Sequence, residues 1–167
     1  MNTGAIRILG VDPGLRNPGW GLIEAVGSRL SFIACGSIQT DAATSLAERL
    51  ASIHGSLTGL VERQHPHEAA VEETFVNRDP QSTLKLGQAR GVTLASLALK
   101  GLPVSEYAAN LIKKTVVGVG HAEKSQVAMM VKMLLPASNA STPDAADALA
   151  VAICHAQHRG ARARGAA

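Results

Sequence analysis

A chain of 167 residues that is 46% hydrophobic has the mass for one domain built around a single core. A net charge of +3 permits an acidic partner without announcing one. No apolar run approaches the roughly 20 residues that span a bilayer, and the N-terminus lacks the basic-then-apolar plan of a secretory signal. The two cysteines, Cys35 and Cys154, lie far apart, which suits reduced thiols in a cytoplasm better than a disulfide framework.

In chain order, Arg7-Ile8-Leu9-Gly10-Val11-Asp12-Pro13-Gly14 reads as a buried strand that delivers Asp12 to a Pro-Gly turn. Residues 19–26 form a second strand, and Gly27-Ser28 turns the chain into a third at 29–38. Apolar residues at Leu46, Leu50, Ile53, Leu57, Leu60 and Val61 are spaced three and four apart, which predicts an amphipathic helix over 45–64. A fourth strand follows at 68–72, then a polar loop at 75–81, a helix at 82–100 and a fifth strand at 103–107. Helices are predicted at 108–116, 123–135 and 143–158, with a basic Gly/Ala/Arg tail at 159–167 expected to be disordered. Strands followed by alternating strands and helices imply an α/β domain over 1–158, a mixed five-stranded sheet flanked by helices.

Four acids stand out. Asp12 and Glu72 each follow an apolar strand, and strand ends at one edge of an α/β sheet form its usual site. Asp144 and Asp147 are three apart and share a face of a helix that is otherwise Ala, Leu and Val on nearly every side. An Asp inside a buried helix is costly unless it is paired or bound to a cation. Two carboxylates at about 4 Å repel by roughly 4 kcal/mol at an effective dielectric of 20, so four together require protons or metal. Oxygen ligands favour Mg²⁺, with Mn²⁺ as a substitute, over zinc. Blander readings remain open residue by residue. Asp12-Pro13-Gly14 can be a plain turn, Asp144 after Pro143 can merely complement a helix N-terminus, and spacing does not choose between Glu72 and Glu73.

Six segments in order resemble the RuvC family of Holliday junction resolvases. They are Gly10-Val11-Asp12-Pro13-Gly14, Ala70-Val71-Glu72-Glu73-Thr74-Phe75, the run from Leu84 to Gly91, Lys114-Thr115-Val116-Val117-Gly118, the run from Ala122 to Val127, and Asp144-Ala145-Ala146-Asp147-Ala148-Leu149-Ala150. The resemblance implies an RNase H-like fold and a homodimeric, Mg²⁺-dependent endonuclease that nicks four-way DNA junctions symmetrically in recombination and repair. It further implies work alongside RuvA and the RuvB branch-migration ATPase, and a thymine-rich cleavage core. The family's four acids fall on Asp12, Glu72, Asp144 and Asp147, its basic residues near the site on Lys113 and Lys124, and its loop aromatic on Phe75. The Ser/Asn-rich connection at 136–142 departs from the expected pattern without disturbing an acid.

Phosphodiester hydrolysis needs an activated water and relief of charge on the leaving oxygen, which two metals about 4 Å apart supply. The sequence therefore leads us to expect two ions per subunit, with Asp12 between them and Lys124 stabilising charge at phosphorus. Arg16, Arg78, Lys85, Arg90, Lys113 and Lys114 are candidate phosphate contacts, and Phe75 is a candidate for stacking on an unpaired base. Gly87 and Gly91, four apart in a predicted helix, suggest close approach of another backbone, either this chain's own sheet or a second copy. Three rivals stand beside this reading. An actin-like ATPase would need a second half that 167 residues do not supply. The others are an RNase H-like nuclease acting on RNA and a junction-binding module without catalysis.

Overall fold

The computed structural model describes residues 4–74, 76 and 78–165, with side chains described through residue 160. Its centre is β1 (Ile6–Asp12), which pairs antiparallel with β2 (Gly19–Val26) and parallel with β4 (Glu68–Glu72). β3 (Arg29–Ser37) extends the sheet beyond β2, and β5 (Val104–Tyr107) runs parallel to β4 at the other edge, giving the order β3-β2-β1-β4-β5.

Helices cover both faces. On one side, α1 (Leu46–Gln64) and α2 (Pro80–Leu99) pack through Ile53, Leu57, Ala89 and Leu97 onto Leu9, Val11, Leu22, Ala69 and Val71. On the other side lie α3 (Ala109–Val117), α4 (Lys124–Leu134) and α5 (Pro143–Gly165), against Ile8, Ile23, Ala70 and Tyr107. The period-two alternation of β1 sends Leu9 and Val11 to the first face and Ile8, Gly10 and Asp12 to the second.

Element boundaries moved where capping chemistry intervened. Helix α1 begins one residue late, because Ser45 forms a reciprocal capping box with Glu48. Helix α2 begins at Pro80 rather than 82, because the Asp79 carboxylate accepts from the backbone N–H groups of Gln81 and Ser82. Helix α5 does not stop at His158. It continues through Arg159, part of the segment expected to be a tail, and runs to Gly165.

Helix α5 is buried on nearly every side from Ala145 to His155. It sits unusually close to the sheet because three strand residues facing it lack a Cβ. A Cβ on Gly10 would collide with the Ala148 carbonyl oxygen and lie 2.7 Å from the Ala152 nitrogen. One on Gly19 would collide with the Asp144 carbonyl, and one on Gly21 would lie 2.9 Å from the Leu149 nitrogen. These glycines let the acid-bearing first turns of α5 rest directly on the ends of β1 and β2.

Candidate active site

Asp12 ends β1 and Glu72 ends β4. Since Val11 is paired with Val71, the two acids are neighbours one step further along parallel strands. Ala70 faces α5 and Val71 faces α1 and α2, so Glu72 turns toward α5. It lines the cleft described below, whereas Glu73 is exposed. Asp144 and Asp147 reach the same strand ends from the first turns of α5.

Asp12 stands between two clefts. One, of about 280 Å³, is lined by Asp12, Glu72 and Asp147 together with Lys113 of α3 and Lys124 of α4. The other, of about 390 Å³, is lined by Asp12 and Asp144 together with Arg16, Asn17, Ser82 and Lys85. Each cleft thus has acids at its floor and two cations at its wall.

The crowding is electrostatically expensive. Burial, then the charges of Glu72, Asp147 and Asp144, push the Asp12 carboxyl up to about 8, against the pull of Lys124. Burial and Asp147 push Glu72 up to about 7, opposed by Lys113, Lys124 and a hydrogen bond accepted from Asp12. Lys124 Nζ lies 3.3 Å from Asp147 Oδ2, and that carboxylate raises the ammonium's affinity for its proton. Among the described residues, no three His, Cys, Asp or Glu side chains are already arranged to hold a metal ion. The donor chemistry nonetheless fits a hard divalent cation. The acids offer only oxygen, and burial together with the neighbouring carboxylates pushes Asp12 and Glu72 up toward neutrality, a cost that such a cation would offset.

The other sequence-predicted contacts scatter. Arg90 is not a free cation; it pairs with Glu106 across the α2–β5 contact. Lys114 and Arg78 are exposed and line neither cleft. Phe75 lies outside the described residues. Sequence reasoning passed over Asn17 and Ser82, which complete the second cleft, and Arg49. The Arg49 guanidinium donates to the Leu15 carbonyl at 3.2 Å and to Thr40 Oγ1 at 3.1 Å. It thereby ties α1 to the loop that follows Asp12. No local signal marks it, because its partners come from outside its own helix.

The sequence that carries this arrangement is matched by a family model. The model of the crossover junction endodeoxyribonuclease RuvC aligns with residues 8–155 and so contains all four acids. The chain belongs to the RuvC family. A RuvC of Methylocella silvestris is 71% identical over 163 residues, covering 98% of this chain and 93% of its own length. One of Xanthobacter autotrophicus is 62% identical, covering 98% and 97%. Among solved structures, Thermus thermophilus RuvC in complex with a Holliday junction substrate superposes with a TM-score of 0.84. That pair is 32% identical over 92% of this chain and 94% of the other. The yeast mitochondrial resolvase Ydc2, at 14% identity and a TM-score of 0.69, shares the fold alone. The mixed sheet with helices on both faces is thus the RNase H-like fold of these resolvases.

Proposed function

We propose that this RuvC-family chain is a Holliday junction resolvase, nicking opposing strands of four-way DNA junctions by Mg²⁺-dependent phosphodiester hydrolysis. The observation that carries this reading is the meeting of Asp12, Glu72, Asp144 and Asp147, from three separate segments, around two cation-walled clefts. Asp12 is common to both clefts, while Glu72 and Asp147 lie in one and Asp144 in the other. That division suits two ions sharing Asp12. Such ions would supply an activated water and relief of leaving-group charge.

The chain's own residues do the rest. Lys113 and Lys124 face the first cleft, where they would bind a phosphate and offset the charge that builds on it. Arg16 and Lys85 would hold the strand as it leaves through the second cleft, with Asn17 and Ser82 offering neutral hydrogen bonds.

Helix α2 supports action as a pair of copies. A Cβ on Gly87 or Gly91 would meet nothing within 4 Å, so this chain's own sheet does not approach them. Leu84 and Leu99 on the same helix are 67% and 80% exposed. We assign this face to the two-fold contact of a homodimer, which would set two sites against opposing strands. We also infer action in the cytoplasm, with RuvA and RuvB supplying the migrated junction. Among the described residues no helix is long and apolar enough to cross a membrane.

The deciding experiment is an end-labelled four-way junction incubated with the full chain in Mg²⁺ or in EDTA, across several core sequences. Paired symmetric nicks that need Mg²⁺ and vanish in Asp147→Asn support the reading. Tight binding without nicks in Mg²⁺ or Mn²⁺ would leave a binding module, and preference for a ribo-junction would make it an RNA nuclease.

A further inference from the structure

The far end of α5 holds a polar cluster that the chemistry above does not use. His155 is 4% exposed, and its Nδ1 lies 2.9 Å from the hydroxyl of Tyr107, which is itself 2% exposed on β5. Its Nε2 lies 2.7 Å from Glu68 Oε2 at the start of β4. One turn on, Arg159 donates to both oxygens of the same carboxylate, with Nε at 3.0 Å from Oε2. The Tyr107 ring also meets the imidazole edge-on. Burying a histidine and a carboxylate costs several kcal/mol unless their hydrogen bonds are satisfied, so the cluster is satisfied at the expense of an apolar alternative.

Its place in the fold suggests why. Glu68 and Glu72 are the two ends of β4 and face the same side, four residues or about 13 Å apart at 3.3 Å per residue. His155 follows Asp147 by eight residues of α5, or about 12 Å at 1.5 Å per residue. Strand and helix run antiparallel and match in length between these points. Fixing His155 on Glu68 therefore fixes Asp147 opposite Glu72. The contacts between these two ends cannot do this as well. They are Ala, Leu and Val resting on Gly10 and Gly21 and among Ile8 and Ile23, apolar contacts without the fixed direction and length of a hydrogen bond.

We propose that the Tyr107–His155–Glu68–Arg159 cluster is a positioning clamp that sets the axial register of α5, and through it the placement of Asp144 and Asp147 against Asp12 and Glu72. These are positioning residues, since they act through the acids and touch no substrate. The inference rests on the metal-nuclease reading above.

His155→Leu removes the bonds to Tyr107 and Glu68 but leaves Glu68 with Arg159. Mn²⁺ binding to the full chain without DNA, followed by the loss of its free-ion EPR signal, should weaken about tenfold, the scale seen when outer partners of metal ligands are removed. Junction binding in EDTA, which involves no metal, should be unchanged. His155→Gln, which can still donate and accept, should recover most of the Mn²⁺ affinity. A purely structural role is separated by adding Gly55→Ala in α1, where a Cβ meets nothing within 4 Å and a helix-interior Gly→Ala change restores about 1 kcal/mol. If stability returns and Mn²⁺ affinity does not, the clamp stands. Mn²⁺ affinity that is unchanged in His155→Leu, or that recovers together with stability, overturns it. Should His155→Leu not fold, Glu68→Gln is held to the same outcomes. A parent protein that never nicks junctions in Mg²⁺ would refute the nuclease reading, not the clamp.

Discussion

Replacing Asp12 by Asn should make the protein more stable and inactive at once. In the folded chain Asp12 titrates near 8, against 3.8 for an ordinary aspartate, chiefly because it is buried and then because of Glu72, Asp147 and Asp144. Between those values the unfolded chain has lost the proton while the folded chain keeps it. A carboxyl with a raised folded pKa therefore costs stability progressively as pH rises from about 4 to about 8. At pH 7 that gap is about three pH units, or about 4 kcal/mol at 1.36 kcal/mol per unit. An amide has no proton to take up, though it fits less well beside Glu72, so the net gain should be about 2–4 kcal/mol. Urea unfolding of parent and variant in EDTA at pH 4, 7 and 8 measures it. The variant's advantage should be absent or slightly reversed at pH 4, large at pH 7 and largest at pH 8. Saturating Mg²⁺ should narrow it by stabilising only the parent. Nicking should be lost, with junction binding intact or stronger. A variant less stable than the parent at pH 7, or an advantage independent of pH, would refute the electrostatic account of the site.

Three further outcomes follow from named contacts. Lys124→Met should slow nicking about 10²-fold, as loss of one donor to a developing negative charge does, with junction binding changed only a few-fold; equal losses in both would make Lys124 a plain phosphate contact. Gly10→Ala drives a methyl into the Ala148 carbonyl and should cost about 3 kcal/mol or more, or prevent folding; a melting temperature close to the parent's would mean that α5 rests less tightly on β1 than described. The Glu68 carboxyl is held down to about 2, first by its hydrogen bond from Arg159. Its contribution is therefore present above about 4.5 and is lost as pH falls toward 2. With a fifth of its side chain in water, that contribution is discounted for screening to about 1–2 kcal/mol. Glu68→Gln should accordingly be less stable than the parent at pH 7 and equal to it near pH 2, by thermal melts at both.

The strands and most helices were legible because their signals are local. Short apolar runs that end in an acid set β1 and β4, Gly27-Ser28 turned β2 into β3, and three-and-four spacing set α1. The acids were legible as candidates for the same reason, since each follows an apolar run or stands in an apolar helix. What the sequence could not determine is which charged residues meet. Lys113 and Lys114 are adjacent, yet one lines a cleft and the other faces water, because a helix turns its residues about 100° at each step and only packing decides which side is inward. Arg90 was a candidate phosphate contact in the sequence, and only the fold showed that β5 brings Glu106 to it. Glu72 and Glu73 were equivalent until the sheet acquired a helix layer on each face. The clamp lay beyond local reading as well. Glu68 and His155 are 87 residues apart, and their meeting follows from the equal reach of a five-residue strand and two turns of helix laid side by side. The chain alone determined the elements and the kinds of group each carries. Tertiary structure alone determined their partners, because a contact between distant segments depends on how whole elements stack, which no local run of residues encodes.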